Sequence, residues 1–248
     1  MLNILGGNPA SVARKNVGGG SFWDTHTPLT YFKCEENAAT TVVVDSGSGS
    51  TNGVSTGNTS TLSVAGKNNL GFDLNGSSEL IDMGQTYQST FRSSFSIPMW
   101  IKPTDGQPAG DGYILGAFET TGALYFQQFA NGTLYFLLRD GTATSVDCTS
   151  SVVFADGATA WTHVMLVYNA ATDMMYIYAN GVEVASVDSS TIDMSGFTTA
   201  KNLYIGRRNY TSTTWYAGSV DEVSVLAEAL TADDAVALYN GGDGDFLE

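Results

Sequence analysis

From Trp161 to Val187 the chain reads WTHVMLVYNAATDMMYIYANGVEVASV, three apolar runs parted by two short polar stretches. Trp161 to Tyr168 is aromatic or β-branched at most positions, a composition that packs well on a pleated surface. Asn169 to Asp173 supplies a polar reversal, and Met174 to Ala179 is the returning strand. Asn180-Gly181 then closes a tighter hairpin into Val182-Glu183-Val184. Asn-Gly marks such a turn because both central residues of a type I′ turn need positive φ, which Asn tolerates and Gly adopts freely. Three consecutive antiparallel strands are expected here.

The same punctuation continues elsewhere. Strand-like runs fall at Thr41–Val44, Leu70–Leu74, Leu80–Met83, Phe95–Ile101, Tyr113–Phe118, Ala123–Phe129, Thr133–Arg139 and Val152–Phe154, with turn dipeptides at Asn75-Gly76, Asn131-Gly132 and Asp140-Gly141. The Gly/Ser/Thr/Asn-rich stretch from Asp45 to about Ser60 reads as an irregular loop. Many short strands parted by such turns predict an all-β, two-sheet antiparallel β-sandwich or jelly roll rather than βαβ units. One segment changes period: Thr231 to Asn240 predicts a short C-terminal helix, with Thr231 as N-cap, acids in the first turn and Gly241 beyond the last. Leu230, Val236 and Tyr239 are expected to pin it to the sandwich.

Met1 to Thr30 has sparse apolar residues and contains Gly18-Gly19-Gly20, the composition of an arm that docks on something. The chain thus divides into an N-terminal arm for docking or oligomerisation (1–30), one sandwich domain (31–242) and an acidic tail (243–248). A length of 248 residues suits a single large all-β domain. Cys34 and Cys148 are the only cysteines. They are expected as free buried thiols, since two are too few for a disulfide scaffold and their spacing matches no zinc site. The formal net charge of −15 repels nucleic acid and anionic lipid at long range. No window is apolar enough for membrane insertion, and the first residues lack a signal-peptide core.

Several short stretches, taken in order, carry a resemblance. They are Tyr31-Phe32-Lys33-Cys34-Glu35-Glu36 followed by Thr40 to Gly47, then Leu70-Gly71-Phe72-Asp73, then Phe95 to Pro103, then Trp161-Thr162-His163-Val164 with Asn180-Gly181. Last comes Gly218-Ser219-Val220-Asp221-Glu222-Val223 through Leu238-Tyr239-Asn240-Gly241. Their order and spacing resemble the laminin-G-like, concanavalin A-like jelly rolls over about Tyr31 to Gly242. The resemblance implies two curved antiparallel sheets with the first and last strands as neighbours. It implies binding of glycans or proteins more often than catalysis. It also implies a Ca²⁺ ion where the terminal strands meet, with Glu35, Glu36, Asp221 and Glu222 as the acids brought together there. Pro98 departs from the pattern by deleting a ladder donor, so its stretch is expected at an edge or a bulge.

Candidate chemistry is sparse. The family's glycosidases use a Glu-x-Asp-x-x-Glu strand that this chain lacks, and the one i, i+2 acidic pair, Asp243/Asp245, lies in the tail. No enzyme is therefore expected; a glycoside hydrolase-related activity is the third reading. His163 reads as a packed strand residue, and Trp100 and Trp161 as core. The sequons at Asn58, Asn75, Asn131 and Asn209 read as turns. For sugar contact, Tyr210, Trp215 and Tyr216, with Arg207 and Arg208 beside them, are the ligand-binding candidates, because a ring stacks on a sugar's C–H face. Trp215 and Tyr216 equally suit sandwich packing. A lone sandwich of this kind without a secretion signal is read as a phage virion structural or decoration protein. It would be made in the host cytoplasm, held on the virion surface by its arm to virion proteins or sister subunits, and able to contact host glycans. The alternative is an extracellular stand-alone carbohydrate-binding module.

Overall fold

The three runs between Thr162 and Asp188 fold as three successive antiparallel strands, with Val164 opposite Ala179 and Asn169 opposite Met174. Asn180 and Gly181 both take positive φ, 51° and 77°, as a type I′ turn demands. These coordinates belong to a computed structural model that describes residues 20–208 and 214–248.

In chain order the strands are β1 (Thr30–Phe32), β2 (Val42–Val43), β3 (Gly53–Ser55), β4 (Ser63–Ala65), β5 (Leu70–Asn75) and β6 (Ile81–Asp82). They continue as β7 (Phe95–Pro103), β8 (Gly112–Phe118), β9 (Ala123–Gln128), β10 (Thr133–Arg139), β11 (Ser145–Val152) and β12 (Thr162–Asn169). The last are β13 (Met174–Ala179), β14 (Val182–Asp188), β15 (Tyr204–Ile205), β16 (Ala217–Asp221) and β17 (Val223–Val225). One sheet of eight strands runs β11-β10-β9-β8-β15-β6-β3-β2, and one of seven runs β14-β13-β12-β7-β16-β5-β4. The first and last strands, β1 and β17, pair with each other, as a two-stranded sheet of their own and not within either large sheet.

Alternation builds the core between the sheets. Leu124 and Phe126 of β9, Leu134, Phe136 and Leu138 of β10, Ile97 and Met99 of β7 and Leu166 of β12 all join one buried cluster. Cys34 and Cys148 lie in it as free thiols. Trp100 is buried, whereas Trp161, expected in the core, is half-buried just ahead of β12.

The outer face of the seven-stranded sheet is covered over β12 and β13, while its β4, β5 and β16 end carries an open pocket of about 510 Å³ lined by Asp73, Lys102 and Ser219. Met165 and Val167 of β12 and Tyr178 of β13 pack beneath Phe22, Leu230, Ala235 and Leu238. The last two belong to a helix at Ala232–Tyr239, the expected one, closed by a capping box between Thr231 and Asp234. Val236 points to solvent instead of pinning the helix, at 57% exposure; Ala235 and Leu238, three apart on one face, take that role. Phe22 lies in the predicted arm, whose residues 1–19 fall outside the described ones. Ser21 and Phe22 of the arm are bound to the tail, and the arm's Leu29 and Thr30 pair with Val225 of β17. Ser21 Oγ and the Phe22 N–H donate to the Asp245 carboxylate at 2.7 and 2.9 Å, and the Leu247 N–H donates to the Tyr31 hydroxyl at 3.1 Å.

Pro98 sits in β7, a central strand and not an edge. Its far neighbour absorbs the missing donor. Trp100 faces Asp221 and Ser96 faces Leu226, so a step of four residues on β7 spans five on the partner. The irregularity falls at Glu222, whose φ is 52°. Ser96 exchanges both backbone bonds with Leu226, so Pro98, two residues on, turns its nitrogen toward the bulge, where the ladder is already interrupted.

Candidate functional site

The outer face of the eight-stranded sheet has no helix over it among the described residues, and the side chains there are unlike those of a solvated face. β9 and β10 both contain the triplet Leu-Tyr-Phe, at residues 124–126 and 134–136. Leu and Phe point into the core, so the pleat turns Tyr125 and Tyr135 outward. Strand register sets the outward residues in cross-strand rows: Phe118, Ala123, Arg139; then Gly116, Tyr125, Leu137; then Tyr113, Gln127, Tyr135. Tyr113 meets Tyr125 edge-on at 5.3 Å between centroids, and Tyr125 stacks with Tyr135 at 5.9 Å. Beyond the first row Phe118, Glu119, Thr120, Thr121 and Lys201 line an open pocket of about 290 Å³.

The segment carrying Arg207 and Arg208 crosses this face at Gly116. A Cβ on Gly116 would lie 3.0 Å from the Arg208 Cα, so the crossing depends on a residue without a side chain. The Arg208 guanidinium then lies 4.6 Å from the Tyr113 ring centre, 4.4 Å from that of Phe118 and 5.5 Å from that of Tyr125. Arg139 approaches the same Phe118 ring at 5.4 Å. Arg207 lies over Trp215 at 4.2 Å, the two residues forming an isolated antiparallel bridge. Rings attract a cation through their negative faces. Three of the chain's five arginines are gathered here.

Of the predicted ligand-binding residues, Arg207, Arg208 and Trp215 are thus together and half-buried at this face. Tyr210 lies outside the described residues. Tyr216 is corrected: it is 1% exposed and belongs to the core, because the residue after Trp215 turns to the opposite face of the sandwich. Burial pushes its phenol well above the ordinary range. Tyr113, Phe118, Tyr125, Tyr135 and Arg139 were not among the predicted residues. The repeated outward Tyr beside an inward Phe was their signal.

The acids assigned to calcium do converge on one region. Glu35, Glu36, Asp221 and Glu222 all act on the Cys34 thiol, which burial first and then these charges push well up. Five of their oxygens face protein donors, while Glu36 Oε2 and Glu222 Oε2 are buried without a partner. Asp221 accepts N–H groups from Lys67, Asn68 and Glu222, Glu222 accepts from the Asn68 amide, Glu35 from the Asn69 amide and Glu36 from the Val44 N–H. Among the described residues no three His, Cys, Asp or Glu side chains are placed to hold one ion. The donor-paired oxygens clamp the loop at 66–69. His163 is buried against Trp100 with ring centres 5.2 Å apart.

A family model described as the concanavalin A-like lectin/glucanases superfamily matches residues 75–235, well over half of the chain. No curated protein matches. Among solved structures, the binding domain of botulinum neurotoxin DC in complex with SialylT is similar, with a TM-score of 0.65 and 16% identity over 86% of this chain and 51% of that one. The same domain in complex with rat synaptotagmin II gives 0.66 and 16% over the same shares. A botulinum neurotoxin type C structure, whose cell entry is described as dependent on two ganglioside molecules, gives 0.66 and 17%, again over 86% and 51%. The chain spans about half the length of these structures, and at such identities the likeness is one of fold alone. With the jelly-roll layers, the pairing of first and last strands and the match over residues 75–235 in hand, the chain belongs to the concanavalin A-like lectin/glucanase superfamily.

Proposed function

We propose that this protein is a non-enzymatic binding module that holds a glycan on the outer face of its eight-stranded sheet. The observation carrying this reading is the set of half-buried rings, Phe118, Tyr135 and Trp215, beside the guanidinium groups of Arg139, Arg207 and Arg208 on a sheet face without a helix over it. Rings accept the apolar face of a sugar and guanidinium N–H groups donate to its oxygens. The phenols here do not favour proton transfer: burial raises Tyr113 and Tyr135 above their ordinary range, and guanidinium does not deprotonate. The similar neurotoxin domains, one in complex with SialylT and one from a toxin whose cell entry depends on two ganglioside molecules, lend the reading a precedent in the same fold. On a glycan array the protein should bind one class of sugar, and Trp215→Ala should weaken it by about tenfold or more, the range of a lost stacking contact and its hydrogen bonds. An array silent for the wild-type chain would sink the reading.

The narrower form holds this module on a virion surface through its N-terminal arm (1–30). It predicts that deletion of residues 1–19 of that arm abolishes association with purified particles while sugar binding persists. Particles complete without this polypeptide would refute it.

A further inference from the structure

We propose that the end of this face at Phe118 is a subsite for an acidic sugar, whose carboxylate or sulfate group lies among Arg139, Arg208 and Lys201. The inference rests on the glycan-binding reading and adds the chemical class of the ligand. Arg139 and Arg208 bring their guanidinium carbons to 5.4 and 4.4 Å from the Phe118 ring centre, and Lys201 stands at the wall of the adjoining 290 Å³ pocket. In a chain with 25 acids and 10 bases, basic side chains have acids in excess to pair with. Among the described residues no ion pair within 4.0 Å involves Arg139, Arg208 or Lys201.

Two guanidinium nitrogens strengthen the case. Nε of Arg139 and Nε of Arg208 are both shut off from solvent without an acceptor. A buried donor in that state is costly until an acceptor arrives. Arg139 has one long bond, from Nη1 to the Thr120 carbonyl at 3.4 Å. The acid at the pocket wall, Glu119, accepts the Ala200 N–H at 3.1 Å. A carboxylate or sulfate offers the paired oxygens that a planar guanidinium fork recognises, and charge-assisted bonds of this kind are about twice as strong as neutral ones. A neutral sugar offers only hydroxyls to the same donors.

The test uses the full chain on three matched sets: oligosaccharides bearing glucuronate or sialate, their carboxyl-reduced neutral counterparts, and sulfated forms of those neutral sugars. Acidic members should bind about tenfold or more tightly than the reduced ones, the scale of a charge-assisted pair over a neutral one. The stronger acidic set identifies the group as carboxylate or sulfate. Arg139→Gln and Lys201→Gln should each remove most of that preference without a change in melting temperature, and Lys102→Gln, on the other sheet, should leave it intact. Equal binding of acidic and reduced sugars overturns the proposal and leaves the glycan-binding reading standing. So does an acidic preference indifferent to both variants. Silence toward every sugar overturns both.

Discussion

Asp221→Ala should lower the free energy of unfolding by about 3 kcal/mol or more, through three backbone N–H groups left without their acceptor. Asp221 is fully buried. Its Oδ2 accepts from Lys67 at 2.8 Å and from Asn68 at 3.0 Å, and its Oδ1 from Glu222 at 2.9 Å. The carboxylate therefore ties the bulge at Glu222, where β16 gives way to β17, to the loop between β4 and β5. Gly66 shows how closely that loop is held, since a Cβ there would lie 2.7 Å from Asp221 Oδ2. Each orphaned buried donor costs about 1–3 kcal/mol. Water reaches the half-buried loop and recovers part, so the lower end of the sum is expected. Urea denaturation should show a lower midpoint at an unchanged slope. Asp221→Asn keeps one acceptor oxygen and should lose less. A midpoint for Asp221→Ala matching the wild type would show that the clamp is not structural.

The protein should be most stable between about pH 4 and 6.5 and weaken from there toward pH 8. His163 is buried, its Nδ1 has no partner, and burial holds its ring down to about 3 from an ordinary 6.5. The unfolded chain takes up that proton below pH 6.5 while the folded one refuses it, so this contribution is lost as pH falls through the window. Asp221 acts oppositely. Burial outweighs its three N–H donors, and the nearby Glu222 charge adds to the rise, pushing it up to about 8 from 3.8. The folded state keeps a proton that the unfolded carboxyl has released, so stability falls as pH rises from 4 to 8.

Where the windows overlap the two slopes cancel. Above pH 6.5 Asp221 acts alone, and at 1.36 kcal/mol per pH unit the loss reaches about 2 kcal/mol by pH 8. Glu222, raised by the same burial, adds in the same direction. Denaturation midpoints across this range check the curve, and Asp221→Asn should flatten its alkaline limb. A wild-type midpoint that climbs steadily to pH 8 would contradict it.

Legibility in the sequence followed the strength of local pattern. The hairpins of β12, β13 and β14 were readable because Asn180-Gly181 encodes its own turn and β12 and β13 are apolar on both faces, one against the core and one beneath the helix. The strand at Ser145–Val152 was missed, and only its last residue met a predicted run. It is polar at most positions because it lies at a sheet edge with one face in solvent. Val54 is half exposed at the centre of β3, another short strand inside a stretch read as loop. Pro98 was read as a sign of edge or bulge, and the bulge turned out to lie in the facing strand.

The candidate site divides in the same way. Arg207, Arg208 and Trp215 could be picked out because a polar loop dense in rings and cations is conspicuous in one stretch of chain. Tyr113, Tyr125, Tyr135, Phe118 and Arg139 could not be assigned to the same place, since no single stretch contains them and only register across β8, β9 and β10 aligns them. From the amino-acid order alone came the fold class, the N-capped helix and the two free thiols, all set by periodicity, capping and composition over a few residues. Which sheet face is left without a helix over it, where the arginines settle, and how four scattered acids come together around the loop at 66–69 were decided only by tertiary structure. These depend largely on contacts between residues distant in the chain, such as Asn68 with Glu222, 154 positions apart, whose pairing is chosen by the packing of the whole sandwich and leaves no local trace.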